Sequence, residues 1–312
     1  KIFLLPYNYK VWAYPPEKLS YNWIGERISV PDLKRITENI LFAQDDLSWG
    51  PNNTFRFPIR GGTGCVWRKL YDKMEKKALF GHEAVEVNTS KKYVKFNNGR
   101  IEYFDYLIST IPLDRLILMS DLNDKSAAGK LIHSSIHIFG IGLKGLPPEH
   151  LKKKCWMYFP EDDCPFYRAT VFSNYSPYNV PDIKSYWSLM VEISESPDKV
   201  VDYSSIEEDV IQGLINTKLI ASKDMIVDIW HHFVPYGYPT PSLQRDDALK
   251  ILPFLDDLGI FPRGRFGGWK YEVSNQDHTF MQGVEVINKI ALNQEEMTIW
   301  HPEEVNKPDS RI

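Results

Sequence analysis

Alternation of apolar and polar residues predicts a strand-rich middle region. Trp187, Leu189, Val191 and Ile193 alternate with more polar neighbours over residues 186–194, a pattern typical of a half-buried strand. Other short apolar stretches also predict strands, over 84–88, 93–96, 101–103, 105–112, 135–144, 168–174 and 225–233.

Apolar residues spaced three or four positions apart predict helices that begin near residue 32, over 66–74, after Ser205, over 246–258 and over 278–292. Ser205 and Glu208 have the spacing of a capping box. The last helix is predicted to face the core with four apolar residues, Met281, Val284, Ile287 and Ala291. The charged tail from Glu295 is predicted to fray.

Helices and strands are mixed without regular alternation. This predicts an α/β or α+β fold in which an antiparallel-rich region is inserted between two segments of another domain. A length of 312 residues favours about two domains, and 43% hydrophobic with 25% charged residues excludes a disordered or fibrous chain.

Charge and cysteine content narrow the function classes. With 37 basic and 41 acidic residues the net charge is −4, so we expect neither a nucleic-acid nor an anionic-membrane partner. No apolar run approaches the roughly 20 residues that cross a bilayer. Three cysteines cannot form a complete disulfide framework, which favours a reducing, cytoplasmic location.

Common catalytic motifs are missing from the sequence. It contains no Gly-x-Ser-x-Gly elbow, no Walker loop, no His-Glu-x-x-His and no paired-cysteine metal spacing. The adjacent His231 and His232 would point to opposite faces of a strand, so we expect no metal site.

Glycine-rich and aromatic stretches are the remaining candidates for a site. Residues 61–64, Gly-Gly-Thr-Gly, are either a ligand-binding turn or an ordinary tight turn. Arg265 lies among glycines and could present its guanidinium to a phosphate, or could lie on a solvated turn. The polar residues 271–278 could cap the helix that follows, or could bind a ligand ring rich in carbonyls and nitrogens, such as a flavin. The loop tyrosines near Arg168 could donate hydrogen bonds to a diphosphate, or could pack at the edge of the hydrophobic core.

These stretches resemble one known family. The matching segments are Pro6–Trp12, Gly25–Arg27, Trp49–Asn52, Phe55–Gly64, Cys155–Asn179, Tyr236–Pro241 and Gly264–Gly283. They resemble the eukaryotic-type UDP-galactopyranose mutases, in the C-terminal two-thirds of those proteins, and the resemblance extends to about Ala291.

The resemblance implies a flavoprotein isomerase, an intramolecular transferase in galactofuranose biosynthesis. Members interconvert UDP-galactopyranose and UDP-galactofuranose through a reduced-flavin N5–sugar adduct, with FAD reduced by NADPH or NADH. The flavin carries the covalent chemistry while the protein supplies position and charge. This explains why the sequence needs no nucleophile–base pair. The implied partner is a UDP-sugar, and a homo-oligomer is left open.

Residue roles are carried over from the matching motifs. Arg27, Arg168 and Asn52 match catalytic positions near the sugar and diphosphate. The implied substrate-binding residues are Asn8, Trp12, Tyr158, Tyr175, Tyr238, Tyr271 and Asn275. The implied cofactor-binding residues are Gly62, Arg265, Asn275 and Gln276.

The resemblance also implies the domain organisation. It predicts a doubly wound FAD-binding domain of the amine-oxidase type, incomplete at its N-terminus, with a mixed or antiparallel substrate domain. The predicted segments are a substrate or helical region 1–60, an FAD-domain segment 61–115, a substrate-binding sheet domain 116–258, an FAD-domain segment 259–294 and a tail 295–312.

One departure from the family keeps two alternatives open. The Gly-x-Gly-x-x-Gly turn that holds the FAD diphosphate is missing and the chain starts at Lys1, so we expect a piece of a longer polypeptide. One alternative is a flavin amine oxidase-like oxidoreductase, which would need an apolar substrate cavity. The other is a non-catalytic UDP-sugar-binding fragment that lacks the N-terminal FAD motif.

Overall fold

A computed structural model describes residues 3–24, 32–44, 55–74 and 77–306 of the chain. The chain divides into two compact units. Unit 1 contains Lys1–Leu19, Phe57–Phe80 and His133–Thr240, and unit 2 contains Ser20–Arg56, Gly81–Ile132 and Pro241–Ile312. The predicted segment 61–115 is therefore divided between the two units after residue 80.

The described residues form helices and strands in mixed order. The helices are α1 (Leu4–Trp12), α2 (Leu33–Leu41), α3 (Gly64–Lys73), α4 (Leu113–Met119), α5 (Ser126–Lys130), α6 (Ile206–Asn216), α7 (Arg245–Ala248), α8 (Ile251–Asp257), α9 (Gly264–Gly267), α10 (Gln276–Leu292), α11 (Met297–Trp300) and α12 (Pro302–Val305). The strands are β1 (Ala84–Asn88), β2 (Tyr93–Phe96), β3 (Ile101–Tyr103), β4 (Leu107–Ser109), β5 (His133–Lys144), β6 (Trp156–Tyr158), β7 (Arg168–Val171), β8 (Tyr186–Glu195), β9 (Ile226–Pro239) and β10 (Ile260–Pro262).

Unit 1 is built on a five-stranded antiparallel sheet with the order β6-β7-β8-β5-β9. The predicted alternation in β8 is confirmed, because Trp187, Leu189, Val191 and Ile193 are all buried. They share one core cluster with apolar residues of β5 and with Val210 of α6. This face of the sheet is the core of unit 1, and the opposite face remains available for polar side chains.

Helix α1 is anchored in unit 1 by a buried lysine. Lys10 is 6% exposed, and its ammonium donates to the carbonyl oxygens of Glu161 at 2.7 Å and Cys164 at 2.9 Å. Its own carbonyl accepts a hydrogen bond from the Ser194 hydroxyl on β8. The sequence predicted only a substrate or helical region over 1–60 and did not give the bounds of this helix. Pro6 lies in the first turn of α1, where a missing N–H breaks no bond.

Unit 2 combines an antiparallel sheet β1-β2-β3 with a parallel pair of β4 and β10. The predicted strand over 105–112 is confirmed only for Leu107–Ser109. Gly259 precedes β10 with φ +74°, and a Cβ there would lie 3.1 Å from the Asp105 carbonyl oxygen. Gly259 therefore serves both the turn after α8 and the close approach of β10 to the segment before β4.

A buried ion network closes the C-terminal part of unit 2. The Arg263 guanidinium, 2% exposed, donates to the carboxylates of Glu296 at 2.6 Å and Asp256 at 2.9 Å, and Lys289 also contacts both. The predicted fraying of the tail from Glu295 is therefore wrong over the described residues up to 306. Arg263 and Lys289 draw Glu296 into the interior, where it is 1% exposed.

Two local predictions for helices are also wrong. Ser205 makes no capping bond at α6 and instead donates its hydroxyl to Asp209 at 2.8 Å. The predicted core face of α10 is largely exposed, with Met281 at 43% and Ile287 at 53%. The helix is buried through His278, Gln282 and Val286, because contacts to Gly264 and Val273 satisfy the amide of Gln282.

Two histidines and a glutamate form a hydrogen-bonded chain at the edge of the unit 1 core. His137 is fully buried, with Nδ1 3.0 Å from His231 Nε2 and Nε2 3.0 Å from Glu195 Oε2. Tyr203 donates its hydroxyl to the same carboxylate oxygen at 2.8 Å. Partial burial of the ring and the neighbouring His137 hold the pKa of His231 below its ordinary value, while Glu207 acts in the opposite direction.

We expect this histidine chain to make stability depend on pH. Because the pKa of His231 is lower in the folded state, the unfolded chain takes up the proton first, and stability falls as the pH drops below about 6.5. Chemical denaturation at about pH 7.5 and about pH 5.5 should show a smaller loss in His231→Gln than in the parent. The exposed His150→Gln is the control and should keep the parental loss. An unchanged loss in His231→Gln would contradict the assignment.

We expect Lys10→Met to destabilise unit 1. The substitution removes the donor from the carbonyl oxygens of Glu161 and Cys164, and unmade buried hydrogen bonds cost roughly 1–3 kcal/mol. Lys18→Met is the matched control, because Lys18 forms an exposed ion pair with Asp198 worth about 0–1 kcal/mol. Denaturant titration of both variants measures the difference. Equal losses of unfolding free energy would show that Lys10 is not an anchor.

Candidate functional site

A row of paired residues crosses the sheet of unit 1 on the face opposite the core. Tyr158 of β6 pairs with Arg168 of β7, which pairs with Glu192 of β8. Glu192 pairs with Ile138 of β5, which in turn pairs with His232 of β9. Directly opposed residues of antiparallel strands share a face, so these five side chains project from the same side. The register therefore places a charged pair, Arg168 and Glu192, on neighbouring strands of this face.

Arg168 and Glu192 form the charged centre of this row. The guanidinium donates from Nε to Oε1 at 3.0 Å and from Nη2 to Oε1 at 2.6 Å and Oε2 at 2.7 Å. Tyr167 donates its hydroxyl to Oε2 at 2.5 Å. Glu192 is 5% exposed, whereas the Arg168 side chain is 25% exposed. The carboxylate is thus the more deeply buried partner of the pair.

The surroundings of Arg168 favour its charge. Burial alone would lower the pKa of Arg168, but the nearby oxygens of Tyr238 and Glu192 outweigh burial and raise it well above its ordinary value. The rings of Trp156 and Tyr167 lie 5.8 and 5.9 Å from the guanidinium carbon. A permanently charged, aromatic-flanked guanidinium suits a phosphate or carboxylate ligand.

Helix α1 supplies two of the predicted substrate residues to the same unit. The Trp12 ring is 1% exposed and meets the Tyr238 ring edge to face at 5.8 Å. Asn8 is half-buried and lies one turn before Trp12, so the two project from the same side of the helix. The helix therefore brings Asn8 and Trp12 to the part of unit 1 that contains Tyr238.

Tyr175 connects this face with the glycine turn of unit 1. Burial raises the pKa of its hydroxyl, and Arg168 is near enough to act in the opposite direction. Its ring packs edge to face on Phe57 at 5.2 Å. The neighbouring Ser176 donates its hydroxyl to the carbonyl oxygen of Ile59 at 2.5 Å. The predicted Gly62 follows in the same segment with φ +61°, a backbone conformation that glycine adopts without strain.

Unit 2 contains the other described candidates near the start of α10. Arg265 donates from Nε to the carbonyl oxygen of Ser274 at 3.2 Å. The Tyr271 ring meets Trp23 edge to face at 5.5 Å. Asn275 occupies the N-cap position of α10 without a side-chain capping bond, and Gln276 is exposed in its first turn. Their amides and the helix N-terminus form one donor-rich stretch next to Arg265.

Each unit thus collects a separate part of the predicted set. Unit 1 holds Asn8, Trp12, Gly62, Tyr158, Arg168, Tyr175 and Tyr238. Unit 2 holds Arg265, Tyr271, Asn275 and Gln276. Arg27 and Asn52 lie outside the described residues.

Sequence reasoning missed Glu192, Tyr167 and Lys10. The alternation in β8 already placed Glu192 on the polar face of that strand, which was an available signal. Its partner could not be read from the sequence, because Arg168 lies 24 residues away. Lys10 gave no signal, since lysine is ordinarily exposed. In the described part of the chain no three His, Cys, Asp or Glu side chains converge as metal ligands.

The chain was compared with family models and with solved structures. No family model matches it. The crystal structure of a reduced UDP-galactopyranose mutase superposes with a TM-score of 0.93 and 47% sequence identity, covering 98% of this chain and 67% of that one. Residues 3–24, 32–44, 55–74 and 77–306 include no helix long and apolar enough to span a membrane.

More distant structures share the fold alone. A protein assigned as a protoporphyrinogen oxidase from Exiguobacterium sp. 255-15 has a TM-score of 0.57 at 14% identity, over 73% of this chain and 51% of that one. A fatty acid isomerase from P. acnes that produces CLA has a TM-score of 0.52 at 14% identity, over 74% and 52%. The predicted fold related to flavin oxidases is therefore confirmed. By its 47% identity over nearly its whole length, the chain belongs to the UDP-galactopyranose mutase family.

Proposed function

We propose that this protein is a UDP-galactopyranose mutase of the eukaryotic type that interconverts UDP-galactopyranose and UDP-galactofuranose with reduced FAD. The observation that carries the proposal is the Arg168–Glu192 pair in the same unit as Tyr158, Tyr175, Tyr238 and Trp12. A nucleoside diphosphate needs a fixed cation, hydroxyl donors and an aromatic wall, and unit 1 offers all three.

Arg168 is the proposed ligand of the substrate diphosphate. With a net charge of −4 the chain offers no general attraction for anions, so the positive charge must be local. The guanidinium would bind the diphosphate in the ground state and stabilise the charge that develops as UDP leaves the sugar. The hydroxyls of Tyr158, Tyr175 and Tyr238 would donate to the remaining phosphate oxygens. Arg27 is the proposed second arginine.

Sugar and uridine positions are assigned to the remaining candidates of the matched motifs. Asn8 and Trp12 of α1 would contact the uridine and the sugar, and Asn52 would contact the galactose. The family resemblance also implies that Tyr271 is a diphosphate-binding tyrosine. Lys10 supports this arrangement indirectly, because its buried hydrogen bonds fix the helix that carries Asn8 and Trp12.

The residues of unit 2 fit the FAD that the family implies. Arg265 follows the carboxyl end of β10, which pairs in parallel with β4, and ligands of α/β sheets bind at this edge. Its guanidinium would hold the FAD diphosphate, and Asn275 and Gln276 would donate to the isoalloxazine ring. The family resemblance also implies that Gly62 lies near the flavin, and its positive φ suits a turn that approaches a ligand closely. When bound, reduced FAD supplies the nucleophile for the anomeric carbon, and NADPH or NADH would reduce it.

The competing oxidase function requires an apolar substrate cavity. The face of the unit 1 sheet instead carries an arginine, a glutamate and several tyrosines, which would leave an apolar amine or fatty chain poorly bound. We also propose a cytoplasmic location, supported by three cysteines that remain free thiols. The assignment of 61–115 and 259–294 to the FAD domain, and of 116–258 to the substrate domain, belongs to the same proposal.

The full-length protein, reduced with dithionite in the presence of FAD, should convert UDP-galactofuranose to UDP-galactopyranose. Arg168→Ala should lower turnover, because the loss of a charge-assisted contact removes roughly 2–4 kcal/mol of transition-state stabilisation. Arg100→Ala, in an exposed ion pair of unit 2, is the control. Chromatography of the two nucleotide sugars measures conversion. No conversion by a flavin-loaded parent would overturn the function, and turnover of Arg168→Ala within about threefold of the parent would overturn the arginine assignment.

Tyr238→Phe and Tyr271→Phe should each weaken UDP binding. Each substitution removes one hydrogen bond to a charged acceptor, worth roughly 1.5–3 kcal/mol. Tyr203→Phe is the matched control, because its hydroxyl bonds to Glu195 on the core face of the sheet. Isothermal titration calorimetry with UDP measures the three affinities. Parental affinity in both test variants would remove these tyrosines from the site.

A further inference from the structure

Arg168 forms an ion pair with Glu192 independently of any ligand. Its three side-chain hydrogen bonds come from Nε and Nη2 and end on Glu192. Among the described residues, Nη1 donates no hydrogen bond. The guanidinium is therefore held by one edge only, and a second donor edge is left for another group.

The carboxylate that holds this edge is itself fixed. Tyr167, 1% exposed, donates its hydroxyl to Glu192 Oε2, and its backbone N–H donates to the Glu192 carbonyl oxygen at 3.0 Å. Oε2 of the carboxylate therefore accepts from both Tyr167 and Arg168, and Oε1 accepts from Arg168. Rotation of either group would break bonds that water cannot easily replace at 5% exposure.

A carboxylate beneath an anion site has two opposed effects. Its negative charge repels a diphosphate, which weakens binding. Its hydrogen bonds fix an otherwise flexible arginine in one orientation, which strengthens binding because less side-chain entropy is lost when the ligand arrives. The two effects can be separated experimentally, since glutamine retains an acceptor at the same place and carries no charge.

We propose that Glu192 is a positioning residue for UDP recognition. It holds the Nε–Nη2 edge of Arg168, with Tyr167 as its support, so that the Nη1 edge meets the diphosphate. The proposal rests on the function assigned to Arg168 above. It assigns to Glu192 a hydrogen-bonding role that outweighs the repulsion of its charge.

Calorimetry with UDP and with uridine on the full-length protein tests the proposal. Glu192→Ala should weaken UDP binding by about tenfold or more, because the arginine loses its fixed orientation. Glu192→Gln should stay within about threefold of the parent, since Oε1 is still offered to Nε and Nη2. Uridine affinity should be unchanged in both, because uridine carries no phosphate. Glu195→Gln, on the same strand but on the opposite face, is the control for UDP binding.

Three results overturn the proposal. If Glu192→Ala binds UDP as tightly as the parent or more tightly, the carboxylate acts only by repulsion. If alanine and glutamine weaken UDP and uridine alike, Glu192 has a structural role alone. If Glu192→Ala still weakens UDP binding in an Arg168→Ala background, its effect does not pass through the arginine.

A further variant and the parent protein test the same proposal. Should Glu192→Ala fail to fold, Tyr167→Phe removes one bond from the carboxylate without changing charge, and it should weaken UDP about two- to fivefold. Parental UDP affinity in Tyr167→Phe would then overturn the proposal. A parent that does not bind UDP, or an Arg168→Ala variant that binds it normally, overturns the proposed function as well. If Arg168→Ala weakens UDP binding and Glu192→Ala does not, the role of Glu192 is overturned and the proposed function is not.

Discussion

The two-sidedness of the unit 1 sheet is the constraint on which the candidate site depends. Strand β8 buries Trp187, Leu189, Val191 and Ile193 against the core, and this burial fixes its register with β5 and β7. A shift of one residue would turn every one of these side chains to the other face. Glu192 therefore projects opposite the core because its neighbours on β8 must be buried, and Arg168 meets it because the strands are in register.

Local charge compensates for the acidic chain as a whole. An acidic protein that binds a diphosphate needs a cation whose position does not depend on the general field. The proposed cation of unit 1, Arg168, is held by a buried carboxylate and flanked by aromatic rings. In unit 2 a second arginine, Arg263, is buried in a network with Asp256 and Glu296 and is therefore occupied structurally. The two arginines differ in exposure: the Arg168 side chain is 25% exposed and that of Arg263 is 2% exposed, so of the two Arg168 is the candidate for binding.

Glycines form turns in both units, and aromatic residues pack around the turn of unit 1. Gly62 and Gly264 adopt positive φ, which explains why glycine occurs at both turns. The rings of Phe57, Tyr175 and Trp156 form contacts that tie the first of these turns to the face of the sheet. These aromatic residues therefore belong partly to packing around the candidate site and partly to the candidate site itself.

The sequence by itself determined most of the elements and the family. The sequence carried local signals for the alternation in β8, for the strands β1–β3 and for the motifs around Arg168. Such signals can be read from sequence because strand and helix periodicities act over a few residues. The faces of amphipathic α10 were misread, since Gln282 is buried by partners that only the folded chain supplies. The tertiary structure alone decided that Glu192 holds Arg168, that Lys10 anchors α1 and that Glu296 is buried. The partners are 24 residues apart for Glu192 and Arg168, more than 150 for Lys10 and Glu161, and 33 for Glu296 and Arg263. No local sequence pattern encodes which distant group will pair with a buried charged side chain.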